Sequence, residues 1–228
     1  SSGIFSLEMS REQLALRILA SAAEVDPLRI RRGLLSLREQ ERVITTIGEL
    51  SDLPVYIDDT PFQGIVEMRS KARRLSLEQS NGLDMVVIDY LQLIQGEGRG
   101  RYGENRVQEI SDISRSIKGM ARDLNIPVIT CSQLSRVVEN RPGHRPQLSD
   151  LRDSGSIEQD ADIVMFIYRE DLYYTEEEWD QHFPGRPYPR GITELIVSKH
   201  RHGQPGSIKL LFHGDFIRFE SLPRTAES

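Results

Sequence analysis

A chain of 228 residues, 38% hydrophobic and 28% charged, is long enough for one large domain or two small ones and reads as a soluble globular protein. No apolar run approaches a membrane span, no signal peptide is visible, and a single cysteine, Cys131, excludes an internal disulfide and fits a reducing cytoplasm. A net charge of −6 excludes a protein that coats itself with nucleic acid, so any contact with DNA or RNA falls to local basic loops.

In chain order, Gly3 to Glu8 reads as a strand. Ser10 follows as an N-cap, with Gln13 completing a capping box for a helix whose apolar side is Leu14, Leu16, Ile18 and Leu19. Asp26-Pro27 starts a short helix, and Ser36 with Glu39 makes a second capping box for a helix over 37–50. Pro54 to Asp58 is the next strand. Thr60-Pro61 reads as a helix start with proline at its first position, and that helix runs to about Ser80.

The central strand is Asp84-Met85-Val86-Val87-Ile88-Asp89-Tyr90, in which five of seven residues are apolar or aromatic. Such a run predicts a strand buried on both faces of a parallel sheet. A loop from Gln95 to Glu104, rich in glycine and arginine, leads to a long helix over 105–125 and a strand over 127–133. The polar stretch from Leu134 to Gln159 shows no clear periodicity, which is usual for functional or disordered segments. A strand over 162–168, an aromatic and acidic surface insertion over 172–190, and three closing strands over 193–198, 207–213 and 216–221 complete the chain. Strand and helix alternate through the first two thirds, and then strands follow one another. The fold class is α/β, with a mostly parallel central sheet, helices on both faces and an antiparallel C-terminal edge.

Three apolar strands end in polar residues. Asp89 closes the central one, at the sheet edge where open α/β folds bind ligands, and a carboxylate there suits a nucleotide-bound Mg²⁺; the alternative is a cap for the next turn. Glu8 closes the first, where it can polarise a water for attack on phosphate or, more plainly, pair with a helix start. Gln133 closes a third, where its amide can bond a terminal phosphate or merely satisfy loop backbone. Lys199 and Arg201, two apart on an extended segment, point to one side, as a phosphate clamp or a solvated hairpin end.

The loops carry Arg99, Arg101 and Arg106, then Arg136, Arg141, His144, Arg145 and Arg152, with Gly143 and Gly155 near the second cluster. Such loops can track a phosphodiester backbone with moderate, salt-sensitive affinity, although Glu139, Asp150 and Asp153 dilute the charge. No G-x-x-x-x-G-K-[ST] loop, zinc-spaced Cys/His cluster or G-x-S-x-G turn occurs.

Phe5-Ser6-Leu7-Glu8-Met9-Ser10, Val87 to Leu93, Cys131 to Arg136, Leu151 to Asp162 and Ser198 to Arg201 together resemble, in order, the motor domain of the bacterial replicative DnaB helicase family, over essentially the whole chain. The resemblance implies a RecA-like fold in a homo-hexameric ring that uses ATP and Mg²⁺ to move 5′ to 3′ along single-stranded DNA at the replication fork of a bacterial cytoplasm. Primase and a helicase loader are the partners it implies, without a membrane. Residue by residue, it implies that Glu8 activates the attacking water, Asp89 holds Mg²⁺, and Gln133 senses the γ-phosphate. Lys199 and Arg201 reach a neighbour's nucleotide, and Arg152, Asp153 and Gly155 belong to the loop that grips DNA. In the family, a phosphate-binding loop precedes the strand with Glu8. The expectation is therefore an N-terminally incomplete RecA-like domain over 1–228 that does not hydrolyse ATP by itself. A recombinase-type ATPase and a non-catalytic DNA-binding or assembly module are the competing readings.

Overall fold

The computed structural model describes residues 1–96 and 106–222, except for the side chains of 152–154. Arg99 and Arg101 therefore lie outside the described residues, as do the side chains of Arg152 and Asp153.

Four strands, β1 (Ser2–Ser6), β2 (Val55–Asp58), β3 (Met85–Asp89) and β4 (Val128–Thr130), form a parallel sheet in the order β2-β1-β3-β4. The register pairs Ser6 with Asp89, Phe5 with Asp58, and Ile88 with Thr130, so the C-terminal ends of all four strands lie along one edge. The expected antiparallel strands form a sheet of their own, β5 (Ile163–Tyr168), β6 (Ile192–His200), β7 (Gly206–His213) and β8 (Arg218–Ser221), in sequential order.

The helices before β2 are α1 (Arg11–Ala23), α2 (Pro27–Arg32) and α3 (Leu37–Ser51). Both expected capping boxes are present, at Ser10 with Gln13 and at Ser36 with Glu39. α4 (Ile65–Glu78) precedes β3, and α5 (Arg106–Leu124) precedes β4. Met68 and Ala72 of α4 and Ile110, Ile113, Ile117 and Met120 of α5 bury Phe5, Val86 and Ile88 in the main core.

Helical cover is unequal. α1 to α3 gather mainly round a smaller cluster of their own, Ala23, Val25 and Val43. On the face opposite the main core, Ile4, Ile57, Met85 and Val87 are only half-buried, and Val55 and Ile129 are exposed. The central strand thus alternates, with Val86 and Ile88 fully buried, rather than being sealed on both sides.

Thr60-Pro61 is not the start of α4, which begins at Ile65 after the N-cap Gly64. Asp58 accepts the Thr60 N–H at 2.9 Å and the Gln63 amide at 3.1 Å, and Phe62 takes a positive φ of 58°. That turn uses the groups a helix start would need. The stretch after β4 is also more ordered than its composition suggests. It contains short 3₁₀ helices at Arg136–Asn140 and Leu148–Ser154 and then α6 (Gly155–Asp160). The insertion over 172–190 holds α7 (Glu176–His182), whose Trp179 is buried among Tyr174, Phe183 and Tyr188.

Candidate functional site

The parallel register sets the site. Ser6 lies beside Asp89, and one residue further on the Leu7 N–H donates to the Asp89 carbonyl at 2.8 Å. Glu8 stands on the turn between β1 and α1. The buried Ser6 hydroxyl closes that turn onto the Met9 carbonyl at 2.7 Å. Asp59, just past β2, accepts the Arg11 N–H at 2.9 Å and so ties the start of α1 to the same edge. Glu8 is exposed and makes no hydrogen bond or ion pair among the described residues.

Asp89 is the last, half-buried residue of β3. Its neighbour across the sheet is Cys131, whose thiol is pushed up by burial first and then by the charge and hydrogen bonding of the Asp89 carboxylate. No group of three or more His, Cys, Asp or Glu that could cage a metal occurs among the described residues.

β4 is shorter than expected, since only Val128–Thr130 stay in the ladder. Cys131 N–H still donates to the Ile88 carbonyl at 2.9 Å, and Leu91 N–H to the Cys131 carbonyl at 3.0 Å. Gln133 leaves the sheet with its side-chain amide exposed and unbonded among the described residues. Its backbone N–H is held by the side-chain carbonyl of Gln92 at 3.2 Å. Asp89 therefore ends β3, while Glu8 and Gln133 lie just past the ends of its neighbours β1 and β4, at one edge of one sheet.

The described contacts of Lys199 and Arg201 are with other residues. The Lys199 ammonium sits on the carbonyls of Glu158 and Gln159 at the end of α6. The Arg201 guanidinium bonds the Asp162 carboxylate at 2.9 Å, and the Arg201 N–H bonds the Asp162 carbonyl at 2.8 Å. Asp162 also receives the Lys118 ammonium, whose hydrogen bond is the main cause holding that carboxyl below its ordinary range. Asp162 thus stands between Arg201 and Lys118, and Lys199 bonds backbone carbonyls instead. This group lies where β5 begins, beside the latter part of α5, and no described contact joins it to Glu8, Asp89 or Gln133.

The basic loop is largely spent on internal pairing. Arg141 grips Asp150 through two bonds of 2.7 and 2.6 Å, and Arg145 grips Glu194 through two of 2.6 and 2.7 Å. His144 stacks on Tyr173 with ring centroids 4.3 Å apart. Arg106 pairs with Glu109. These residues hold the loop's shape, and their cations are already matched. The buried Tyr168 hydroxyl, pushed up to about 12 chiefly by burial, bonds the Gly143 carbonyl. Gly155 opens α6 at an ordinary helical φ of −51°, and a Cβ there would meet no atom of the described residues other than its chain neighbours within 4 Å. The local fold does not require glycine at this exposed position.

Sequence reasoning passed over Gln63, Gln92, Ser132 and Asp162 as functional candidates. Asp58, at the end of β2, had the same strand-end signal as Asp89 and would have led to the buried Gln63 and to Lys71. Burial alone would raise the Asp58 carboxyl, but hydrogen bonds from Thr60 and Lys71 hold it below its ordinary value.

The family model described as DnaB-like helicase C terminal domain matches residues 1–221. The chain is 47% identical over 221 residues to the replicative DNA helicase DnaB of Geobacillus stearothermophilus, covering 97% of this chain and 46% of that relative. It is 46% identical over 224 residues to the replicative DNA helicase DnaC of Bacillus subtilis (strain 168), covering 98% of this chain and 46% of that relative. It thus spans about half the length of these relatives. Among solved structures, an ATPase domain superposes with a TM-score of 0.85 at 35% identity, covering 97% of this chain and 74% of that one. A DnaB-like replicative helicase, solved with its interactions with primase, superposes with a TM-score of 0.86 at 35% identity, covering 97% of this chain and 50% of that one. With its parallel sheet, its acidic strand ends and a match running from the first residue to the last strand, the chain belongs to the DnaB-like helicase C-terminal domain family.

Proposed function

We propose that this chain is the motor part of a ring-forming replicative helicase that spends ATP, with Mg²⁺, to move 5′ to 3′ along single-stranded DNA. The observation that carries the reading is the pairing of Ser6 with Asp89, which sets Glu8 and Asp89 on adjacent strand ends with Gln133 on the next.

Glu8, exposed at its turn, takes a proton from a water as the water oxygen bonds to the γ-phosphorus and the bond to the β–γ bridging oxygen breaks. The Gln133 amide, free at the same edge, bonds a γ-phosphate oxygen. Asp89 would hold the Mg²⁺ that accompanies the nucleotide. When bound, that ion neutralises charge on the β- and γ-oxygens. No described contact joins Lys199 or Arg201 to their own chain's Glu8, Asp89 or Gln133, and Arg201 is about half exposed (47%). That placement supports a role in the nucleotide site of a neighbouring subunit, which a homo-hexameric ring provides.

The DNA contact is assigned to the segment of Arg152, Asp153 and Gly155, since Gly155 leaves its backbone open to approach. Primase is a proposed partner because a similar helicase was solved with it. A helicase loader and a place at the replication fork in a bacterial cytoplasm belong to the same reading. No helix among the described residues is long and apolar enough to cross a membrane.

The test is ATP-dependent unwinding by the full-length protein of a forked duplex with a 5′ single-stranded tail, alongside a fork with only a 3′ tail. Unwinding of the first alone, lost in Arg201→Ala with nucleotide binding retained, is the expected result. ATP turnover that ignores single-stranded DNA and unwinds neither fork would contradict it.

A further inference from the structure

We infer that Gln92 is a positioning residue for Gln133 and ties it to the first turn of α5. The inference rests on the proposed role of Gln133 at the γ-phosphate.

The β3–β4 ladder ends where the Leu91 N–H meets the Cys131 carbonyl at 3.0 Å. The next rung is made by a side chain. The Gln92 side-chain carbonyl accepts the Gln133 N–H at 3.2 Å, and the Gln92 amide nitrogen donates to the Ser132 hydroxyl at 2.9 Å and towards the Gln133 carbonyl at 3.4 Å. Only a primary amide offers an acceptor and two donors in one plane for this backbone. Gln133 has left the sheet, so the clasp supplies the backbone bond that the strand no longer gives.

Gln92 also faces the other way. Its backbone carbonyl receives the Arg106 guanidinium, at the first residue of α5. Arg106 pairs with Glu109, and Glu109 accepts the Gly96 N–H at 3.0 Å. The fit at Gly96 is close, since a Cβ there would lie 2.5 Å from the Glu109 side chain. A continuous run of polar contacts therefore joins Gln133, Gln92, Arg106, Glu109 and Gly96. A shift at the start of α5 reaches Gln133 through Gln92 without crossing the apolar core.

The test uses the full-length protein with Gln92→Ala and Gln92→Glu, measuring ATP turnover with and without a single-stranded oligonucleotide and the binding of a fluorescent ATP analogue. Gln92→Ala is expected to lower kcat about five- to tenfold, as loss of one or two neutral hydrogen bonds in the transition state would. Analogue affinity should stay within about twofold. Gln92→Glu keeps the acceptor for the Gln133 N–H and loses the donors, so it should fall between. Wild-type kcat in Gln92→Ala would overturn the inference. So would equal losses of affinity and kcat, which would mark a merely structural residue. If Gln92→Ala fails to fold, Ser132→Ala removes one arm of the clasp, and an unchanged kcat there overturns it too. A parallel Gln133→Ala protein separates the two levels. If Gln133→Ala lowers turnover and Gln92→Ala does not affect it, only Gln92 loses its role; if Gln133→Ala turns over normally, the γ-phosphate reading of Gln133 falls and takes the Gln92 role with it.

Discussion

Asp162 holds Arg201 twice, by its carboxylate to the guanidinium at 2.9 Å and by its carbonyl to the backbone N–H at 2.8 Å. The same carboxylate receives Lys118 from α5, so one acid fixes the end of β6 to a helix of the main core. In the proposed role of Arg201 at a neighbour's nucleotide, a side chain that reaches a phosphate on another subunit needs a defined starting position. Asp162→Asn keeps the shape and removes the charge. Because the group is about half exposed, its loss should cost less than about 1 kcal/mol of folding stability. ATP turnover by the assembled protein should nevertheless drop several-fold with nucleotide affinity kept. Steady-state turnover beside a urea titration of the same protein checks both halves, and a large stability loss with unchanged turnover would mark Asp162 as structural alone.

The pairing of Arg141 with Asp150 makes a prediction in pH. Asp150 is 3% exposed, and its carboxyl is held below the ordinary value of 3.8 first by the hydrogen bonds from Arg141 and then, against burial, by the Gln147 N–H. A carboxyl lowered on folding adds stability that is present above pH 3.8 and is lost as the pH falls through its folded value. In Arg141→Ala the largest lowering cause is gone and burial remains, so the loss on acidification should begin at higher pH than in the unsubstituted chain. Urea midpoints measured from pH 7 down to about 3, followed by fluorescence of the single tryptophan Trp179, would reveal it. Identical pH profiles for the two proteins would contradict the assignment.

Thr193 is 1% exposed, and its hydroxyl has no hydrogen-bond partner among the described residues. Thr193→Val has nearly the same shape and removes the unmatched oxygen. It should raise stability by about 1 kcal/mol, the scale of one unsatisfied buried polar group. A lower denaturation midpoint in Thr193→Val would show that the hydroxyl has a partner after all.

How far the sequence carried differs between elements for physical reasons. The apolar run ending in Asp89 and the capping boxes at Ser10 and Ser36 are local signals, and each element stands where they place it. Thr175 with Glu178 is the same box and was legible, but the aromatic, acidic composition around it masked α7. Thr60-Pro61 misleads because the helix start depends on Asp58 and the buried Gln63, whose bonds only a folded turn brings together. The basic loop misleads for a similar reason. Arg145 finds Glu194 across 49 residues, which no spacing rule anticipates. That Glu8, Asp89 and Gln133 lie along one edge of the sheet was legible because parallel strands end on one side. The separate place of Lys199 and Arg201 was not, because it depends on how β6 pairs with β5.

The most direct test of the account is Glu8→Gln in the full-length protein, with ATP turnover and nucleotide binding measured together. The substitution keeps the side chain's size and removes the proposed base. Turnover should fall by about 10²- to 10⁴-fold, the usual contribution of a positioned general base, with nucleotide affinity within about threefold. Turnover within twofold of the unsubstituted protein would show that Glu8 is not the residue that activates water.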